Sequence, residues 1–346
     1  MPADDKMRVK LCNILKFLLL FKSKGLLHLP LYFLLKESVL SGSTQLLDIF
    51  DHYDLTILSS SSNLVHLERL FDVLHEHAIS IARLHLDVLY SDENLLASHQ
   101  ISNKMTFNKS GRSAAAEIME GSNQKKFAQD QKEDTRGLIY GEIEFESFQK
   151  ILDIALTGLQ GKHGKFTDLG SGTGKACLWA AITTPFSRVF GIEVIEGLHN
   201  RARDLLGAFN SLNPSIALGG SSSNNTKCKL EFVQGSFLAD IHDWSDSDLA
   251  FANSTCFPAE LMMKLSVKSQ LMKPGARFIT FTVSLDSPYW RLIYKERMTM
   301  SWGMATVFIH ERLSAEEVRN RMTQAADGDG GSPGKEDDGI WVLDTD

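Results

Sequence analysis

The sequence predicts an α/β fold with a doubly wound, mostly parallel sheet of the Rossmann-like type. Two observations predict it. Short apolar segments alternate with amphipathic ones between residues 165 and 311, and the first apolar segment leads into a glycine-rich turn and a helix. Strands that alternate with helices favour a parallel sheet, because each parallel strand needs a crossover connection. The predicted strands cover residues 165–169, 188–192, 230–234, 249–252, 277–283 and 306–311, and the predicted helices cover 174–183, 198–210 and 260–271.

Composition divides the 346 residues into four regions. Residues 1–90 are predicted to form an N-terminal helical region, 91–135 a polar linker, 136–313 the α/β domain and 314–346 a flexible acidic tail. The net charge of −7 gives no global signature of nucleic-acid binding. No apolar run approaches the roughly 18 residues of a membrane span, so we expect no membrane partner. The four cysteines form no CxxC pair, which favours reduced thiols and no metal site.

The N-terminal region contains one long amphipathic segment. Apolar residues recur there at spacings of three, four and seven, which predicts a helix over residues 63–90. The predicted buried face consists of Leu64, Leu67, Phe71, Leu74, Ala78, Ile81 and Val88.

A glycine-rich segment, FTDLGSGTGK at residues 166–175, carries the strongest functional signal. Gly170, Gly172 and Gly174 allow the backbone to approach a ligand closely, and the following helix offers free N–H groups. The spacing G-x-G-x-G differs from the G-x-G-x-x-G that fits a pyrophosphate. S-adenosylmethionine has no phosphate but carries an ammonium group, which suits the Asp168 carboxylate. We therefore predict S-adenosylmethionine as the cofactor.

A second acid, Glu193, ends the next predicted strand, 19 residues after Gly174. A carboxylate at this position can accept hydrogen bonds from both ribose hydroxyls, as in dinucleotide-binding folds. The alternative is a solvated acid at a strand end. Together with Asp168, Glu193 favours a nucleotide-type site at the carboxyl ends of the first two strands.

Seven short segments occur together in a distinctive order: LIYGE at 138–142, DLGSGTG at 168–174, GIE at 191–193, QGSFL at 234–238, FANSTCF at 251–257, LMKPGA at 271–276 and MSWG at 300–303. In this order they resemble the non-SET histone lysine methyltransferases, the disruptor-of-telomeric-silencing family. The resemblance covers residues 136–312, about half of the chain. The Tyr-Gly-Glu element combined with Asp-Leu-Gly-Ser-Gly is far more specific than the glycine loop alone.

The resemblance implies a class I methyltransferase domain over residues 136–313 and a role for individual residues. The loop that closes over the cofactor would consist of Tyr140, Gly141 and Glu142. The methionine part of the cofactor would be bound by Phe166, Asp168, Leu169, Gly170, Ser171, Gly172, Thr173, Gly174 and Lys175. Glu193 would bind the ribose, and Ser236 and Phe237 would lie at the adenine. The methyl-transfer centre would contain Asn253, Ser254 and Tyr140.

Two positions depart from the family's pattern. The family usually has an acid directly before the Phe237 position, where this chain has Ser236, a weaker hydrogen-bonding partner. It usually has paired asparagines where this chain has Asn253-Ser254. The second departure concerns the identity of the substrate more than the use of the cofactor.

The resemblance implies a lysine of a core histone in the nucleosome as the acceptor, and a nuclear or otherwise cytoplasmic protein. A narrow apolar channel would favour the deprotonated lysine. Its candidate walls are Tyr140, Phe257 and Trp302, for which core packing is the other interpretation. Basic residues that could contact DNA, or form an ordinary solvated surface, are Lys264, Lys268, Lys273, Arg277, Arg291, Lys295 and Arg297.

Two other functions stay open from the sequence. A methyltransferase acting on a non-histone protein or a small molecule would use the same cofactor pocket, and basic residues that face away from the pocket would favour it. The other is an inactive methyltransferase fold that binds a partner through its N-terminal helix. The joint presence of Asp168, Glu193 and Glu142 argues against this last possibility.

Overall fold

The computed structural model describes residues 11, 14–16, 18, 19, 21, 29–40, 44–51, 64–90, 143–159, 164–212, 228–300 and 303–327. The strands are β1 (Lys165–Leu169), β2 (Arg188–Glu193), β3 (Lys229–Gln234), β4 (Leu249–Phe251), β5 (Arg277–Phe281), β6 (Trp290–Met300) and β7 (Gly303–Arg312). The helices are α1 (Leu29–Leu40), α2 (Thr44–Asp51), α3 (Leu64–Leu89), α4 (Phe145–Leu156), α5 (Lys175–Thr183), α6 (Glu196–Leu212), α7 (Ala259–Ser269) and α8 (Ala315–Asp327). A short 3-10 helix spans Ser254–Cys256.

The seven strands form one sheet in the order β3-β2-β1-β4-β5-β7-β6. The five strands from β3 to β5 are parallel, and β7 runs antiparallel to both β5 and β6. The strand order reverses between β1 and β4, and ligands of open α/β sheets bind at the carboxyl ends of the strands at such a point. The predicted doubly wound, mostly parallel sheet is confirmed.

The N-terminal helices form an additional layer over α5. Every residue of α5 after Lys175 is buried, because the sheet covers one side of this helix and α1 and α3 pack against it from outside. A helix that is apolar on all sides needs such cover. The N-terminal helical region therefore shares one hydrophobic core with the α/β domain. None of the described helices is long and apolar enough to cross a membrane.

The long N-terminal helix is present, but its buried face differs from the prediction. The fully buried side chains of α3 follow spacings of four and three, at Leu70, Leu74, Ala78, Ala82, Leu86 and Leu89. Val88, which was assigned to the buried face, is exposed, and Ile81 is half-buried. Among the side chains that the structure describes, the two faces share Leu74 and Ala78, and the small Ala82 belongs to the buried face because α3 lies directly on other helices. The side chains of Leu64, Leu67 and Phe71 lie outside the described ones.

Three further expectations need correction. The region 314–346 does not start as a flexible tail, because Ser314 and Glu317 form a reciprocal capping box that begins α8. Strand β5 ends at Phe281 because Thr282 adopts φ +66°, outside the extended region. Strand β6 was not predicted, because a bulge at Ile293 breaks its alternation. The predicted linker and the tail beyond residue 327 lie outside the described residues.

Arg277, one of the predicted surface basic residues, is buried and caps a helix instead. Its Nη1 donates to the carbonyl oxygens of Ala155 at 2.7 Å and Thr157 at 2.6 Å, at the carboxyl end of α4. Its Nη2 lies 3.7 Å from a carboxylate oxygen of Glu311. Burial lowers the pKa of Arg277, and Glu311 opposes that change. This guanidinium joins α4 to the sheet, since helix carboxyl ends carry unpaired carbonyls and partial negative charge.

We expect Arg277→Met to lower the free energy of unfolding by about 3 kcal/mol, because it leaves buried carbonyls and Glu311 without their charged partner. Denaturant titration measures the change. Arg188→Met is the control, since Arg188 is half exposed and pairs with Asp246 at the surface. Equal losses in the two variants would show that Arg277 has no special role in the fold.

Candidate active site

Two buried carboxylates lie at the carboxyl ends of neighbouring parallel strands. Asp168 is the penultimate residue of β1, and Glu193 is the last residue of β2. Strand β1 pairs with β2 on one side and with β4 on the other, so both acids lie beside the point where the strand order reverses. The chain therefore brings these two predicted site residues to the edge of the sheet where a ligand binds.

Asp168 is 2% exposed and only partly hydrogen-bonded. Its Oδ2 lies 3.7 Å from the Sγ of Cys177, whereas its Oδ1 has no hydrogen-bond partner among the described residues. Burial raises the pKa of Asp168 to about 8, the Cys177 thiol opposes the rise, and Glu193 adds to it. A buried carboxylate oxygen without a donor is unfavourable. The position therefore suits a cationic ligand that brings its own N–H donors.

Glu193 connects the glycine loop to the second strand. Its Oε2 accepts a 2.7 Å hydrogen bond from the N–H of Gly172, and its Oε1 accepts one of 2.8 Å from the N–H of Ile195. Burial raises the pKa of Glu193, and these backbone N–H groups oppose the rise. Since an ionised carboxylate has about four acceptor sites, Glu193 keeps capacity for hydroxyl donors of a ligand.

The glycine loop takes backbone conformations that other residues rarely adopt. Gly170, Gly172 and Gly174 have φ angles of +87°, +55° and +82°. The N–H groups of Gly170 and Ser171 both donate to the carbonyl oxygen of Ile192, at 2.9 and 3.0 Å. The Ser171 hydroxyl is buried and, among the described residues, has no hydrogen-bond partner. This hydroxyl can therefore form a hydrogen bond with a polar group of a ligand.

Phe232 of β3 explains why two glycines are needed, and the sequence did not single it out. A Cβ at Gly191 would lie 2.6 Å from the Phe232 ring and 2.9 Å from the Ser171 hydroxyl. A Cβ at Gly174 would also collide with the Phe232 ring. The only sequence signal was an aromatic residue in β3 opposite Gly191, with which it pairs in register.

Two aromatic side chains form one wall of the site. The rings of Phe237 and Phe257 stack with centroids 5.8 Å apart and planes inclined by 17°. The Phe257 ring lies 3.7 Å from the place where a Cβ of Gly170 would be, so the wall reaches the glycine loop. Ser236 is exposed beside this wall, and its hydroxyl accepts a 3.1 Å hydrogen bond from the N–H of Leu238. The indole of Trp244 donates to the Phe237 carbonyl oxygen and fixes this turn.

Asn253 and Ser254 follow β4 but differ in their surroundings. Asn253 is half-buried, and its Oδ1 accepts a 3.3 Å hydrogen bond from the Thr255 hydroxyl. Ser254 is fully buried, and its hydroxyl bonds at 2.9 Å to both the N–H and the carbonyl oxygen of Phe281. The Ser254 hydroxyl is therefore engaged by the Phe281 backbone, and its place among the reacting groups stays a prediction. The adjacent Thr282, with φ +66°, is a strained β-branched residue at this edge.

Other predicted site residues are placed less directly. The Phe166 ring and the Leu169 side chain lie in the two hydrophobic cores, and their predicted contacts with the cofactor stay a prediction. Lys175 turns its ammonium over the Phe145 ring, 4.5 Å from the centroid. The predicted closing loop and channel aromatic, Tyr140, Gly141, Glu142 and Trp302, lie outside the described residues.

The sheet has an antiparallel β7 between β5 and β6, and its edge carries Asp168, the glycine loop and Glu193. These features define a Rossmann-like class I methyltransferase fold. A family model described as "Histone methylation protein DOT1" matches residues 124–300, which is more than half of the chain. The chain therefore belongs to the DOT1 histone methylation family. Among curated proteins no sequence matches it.

The chain also has a low similarity to several solved structures. TrmN from Thermus thermophilus is 17% identical with a TM-score of 0.37, and the match covers 48% of each chain. The putative RNA methyltransferase PH1948 from Pyrococcus horikoshii is 12% identical with a TM-score of 0.38, over 56% of this chain and all of the other. The putative methylase HI0767 from Haemophilus influenzae is 13% identical with a TM-score of 0.37, over 49% of this chain and 99% of the other. Likenesses at this level carry no conclusion about substrate.

The raised pKa of Asp168 predicts proton release when a cationic ligand binds. The free folded chain keeps this proton up to about pH 8, whereas the unfolded chain loses it near 3.8, so the free energy of unfolding falls as pH rises between these values. An ammonium ligand favours the carboxylate. Its affinity should therefore rise with pH until about 8, with a proton released below that value. Calorimetry of S-adenosylmethionine binding in buffers of different ionisation enthalpy measures the proton.

The control for this experiment removes the titrating group. Asp168→Asn should bind more weakly and release no such proton, whereas Glu260→Gln, at an exposed acid that pairs with Lys264, should behave like the wild type. Binding without proton release in the wild type would contradict the assignment of Asp168 to the ammonium.

Ser236→Asp should tighten S-adenosylmethionine binding by roughly 1 kcal/mol, the contribution of one better hydrogen bond. An aspartate can accept the Leu238 N–H with one oxygen and leave the other for the adenine amine. Ser236→Asn is the matched control. Its side-chain oxygen can accept the same hydrogen bond from the Leu238 N–H, and the remaining NH₂ group then offers only donors to the adenine amine. Equal affinity of the aspartate and asparagine variants would mean that the adenine does not lie at Ser236.

Proposed function

We propose that this protein is an S-adenosylmethionine-dependent methyltransferase that methylates a lysine of a core histone in the nucleosome. The observation that carries the proposal is the buried Asp168 carboxylate oxygen beside Glu193 and the glycine loop, which has no hydrogen-bond partner in the described part of the chain. Membership in the DOT1 histone methylation family supports the choice of acceptor. A nucleosomal substrate makes the nucleus the proposed location.

The residues of the site fit the parts of this cofactor. Asp168 would hold its ammonium, Glu193 its ribose hydroxyls, and Phe237 and Phe257 the apolar side of its adenine. When bound, S-adenosylmethionine supplies a methyl group on a sulfonium, whose displacement needs alignment and exclusion of water more than proton transfer. The tasks of the chain are then to fix the donor, admit the acceptor in line and keep water out.

The acceptor amine has to be neutral to attack. The Phe257 ring, four residues after Asn253, lies against the glycine loop at Gly170, and such apolar surroundings disfavour an ammonium. The half-buried Asn253 side chain can accept a hydrogen bond from an N–H of the incoming amine and so direct its lone pair. Ser254 and the Phe281 backbone would hold Asn253 in place from behind.

The basic residues of β6 divide between the two ends of the sheet. Because β7 is antiparallel to both β5 and β6, strand β6 runs parallel to β5. Arg297 pairs with Thr306, whose carbonyl accepts the Thr282 N–H at the carboxyl end of β5. Arg291 lies at the opposite end and pairs with Glu311 at 2.5 Å. Of the two ends of β6, the one with exposed Arg297 and Lys295 therefore lies at the carboxyl ends of the parallel strands, where the site is.

We expect nucleosome methylation to fall steeply with salt, because neutralised phosphates release counterions. The double variant Lys295→Gln/Arg297→Gln should weaken activity on nucleosomes and reduce the salt slope by about two, one for each lost phosphate contact. Tritiated cofactor offered with nucleosomes, free histones and cell lysate shows which substrate becomes labelled. We expect nucleosomal histones to be labelled more than free histones.

Arg291→Gln provides the control, because it removes the same kind of charge from the same strand at the far end of the sheet. It should leave nucleosome activity unchanged, and all variants should bind S-adenosylmethionine like the wild type. Labelling of another protein in lysate, with nucleosomes unlabelled at low salt, would contradict the histone acceptor and keep the methyltransferase. Absence of cofactor binding by the folded wild type would contradict both.

A further inference from the structure

We infer that Tyr90, a residue of the N-terminal helical region, is a positioning residue for the glycine loop. The inference rests on the proposed use of S-adenosylmethionine. It assigns a part in cofactor binding to a region that lies outside the α/β domain in sequence. The residue directly follows α3, and its own N–H continues the helix by donating to the Leu86 carbonyl oxygen at 2.8 Å.

The hydroxyl of Tyr90 contacts the loop at its centre. It donates a buried 2.9 Å hydrogen bond to the carbonyl oxygen of Thr173, which lies between Gly172 and Gly174. The next N–H, that of Gly174, donates to the Ser171 carbonyl oxygen at 2.8 Å. The carbonyl of Thr173 and the N–H of Gly174 belong to one peptide plane. This plane is therefore held at one end by Tyr90 and at the other by the loop itself.

That plane needs an external restraint. Gly172 and Gly174 on either side of Thr173 both have positive φ, and glycine backbones adopt many conformations at little energetic cost. Without a partner for the Thr173 carbonyl, the loop would sample other arrangements and would have to be ordered when a ligand binds. Ordering on binding reduces affinity. A tyrosine hydroxyl fixed by a packed helix removes part of that cost in advance.

Tyr90 is itself fixed by its neighbours. Its ring is 9% exposed and meets the Phe145 ring edge-on at 6.5 Å, and Phe145 stacks on Trp179 at 4.6 Å. The Lys175 ammonium lies over both the Tyr90 and Phe145 rings. Two turns earlier in α3, Arg83 forms an ion pair with Glu146 of α4. The end of α3 is thus held against both the first turn of α4 and the start of α5.

The test is Tyr90→Phe, which keeps the ring and its packing and removes only the hydroxyl. S-adenosylmethionine should bind about fivefold more weakly, the effect of one ordinary hydrogen bond. The KM for the cofactor should rise by a similar factor, while kcat at saturating cofactor and the KM for the acceptor stay unchanged. Calorimetry and steady-state kinetics measure these quantities, and thermal unfolding measures stability beside them.

Tyr32→Phe is the matched control, since Tyr32 is a buried tyrosine of α1 whose ring packs edge-on against Phe33. It should leave cofactor affinity at the wild-type value. A Tyr90→Phe variant that is less stable but binds S-adenosylmethionine like the wild type would show a merely structural hydroxyl and overturn the inference. A folded wild type that binds no S-adenosylmethionine would overturn the proposed function and this inference with it.

Discussion

Burial of the Asp168 carboxylate, with one oxygen unpartnered among the described residues, is the constraint on which the site depends. Such a group is unfavourable in a folded chain unless its proton stays on, which is why its pKa rises to about 8. The rest of the sheet keeps it there: β1 is buried along its whole length and paired on both sides. A cation with N–H donors would supply the hydrogen bond that Asp168 Oδ1 lacks. The burial of this oxygen therefore affects both the stability of the fold and its affinity for a ligand.

Several features of the neighbourhood follow from keeping space beside that oxygen. The strand order brings Glu193 to the same edge. Glu193 holds Gly172 by accepting a hydrogen bond from its backbone N–H. The Phe232 ring occupies the room that side chains at Gly174 and Gly191 would take. The loop thus carries no side chain at Gly170, Gly172 and Gly174, and it is fixed from three directions, by β2, by β3 and by Tyr90 of the N-terminal region. Under the proposed function, the N-terminal helices belong to the catalytic unit.

The local features of this site could be predicted from sequence. Asp168 and Glu193 lie at the carboxyl ends of two strands and the glycine loop directly follows the first of them, so pattern and position agree. Phe232, Tyr90 and Arg277 could not be found in this way, because each acts on a partner distant in sequence: Tyr90 and Thr173 are 83 residues apart. Strand β6 was not predicted because its bulge interrupts the alternation of apolar residues. The capping box of α8 is readable in the sequence, but the acidic composition of the region led to the prediction of a flexible tail. Ser254 was assigned from the family resemblance, at the second position of its asparagine pair, and the pattern gave no sign that its hydroxyl bonds to the Phe281 backbone.

A crystal structure of the protein bound to S-adenosylhomocysteine, the demethylated product of the cofactor, tests this account most directly. The account predicts the amino nitrogen of the product at about 3 Å from Asp168 Oδ1, within hydrogen-bond distance. The ribose hydroxyls should lie on the Glu193 carboxylate and the adenine against Phe237. An amino group bound elsewhere, with Asp168 Oδ1 still lacking a donor, would contradict the claim that this buried acid exists to hold the cofactor.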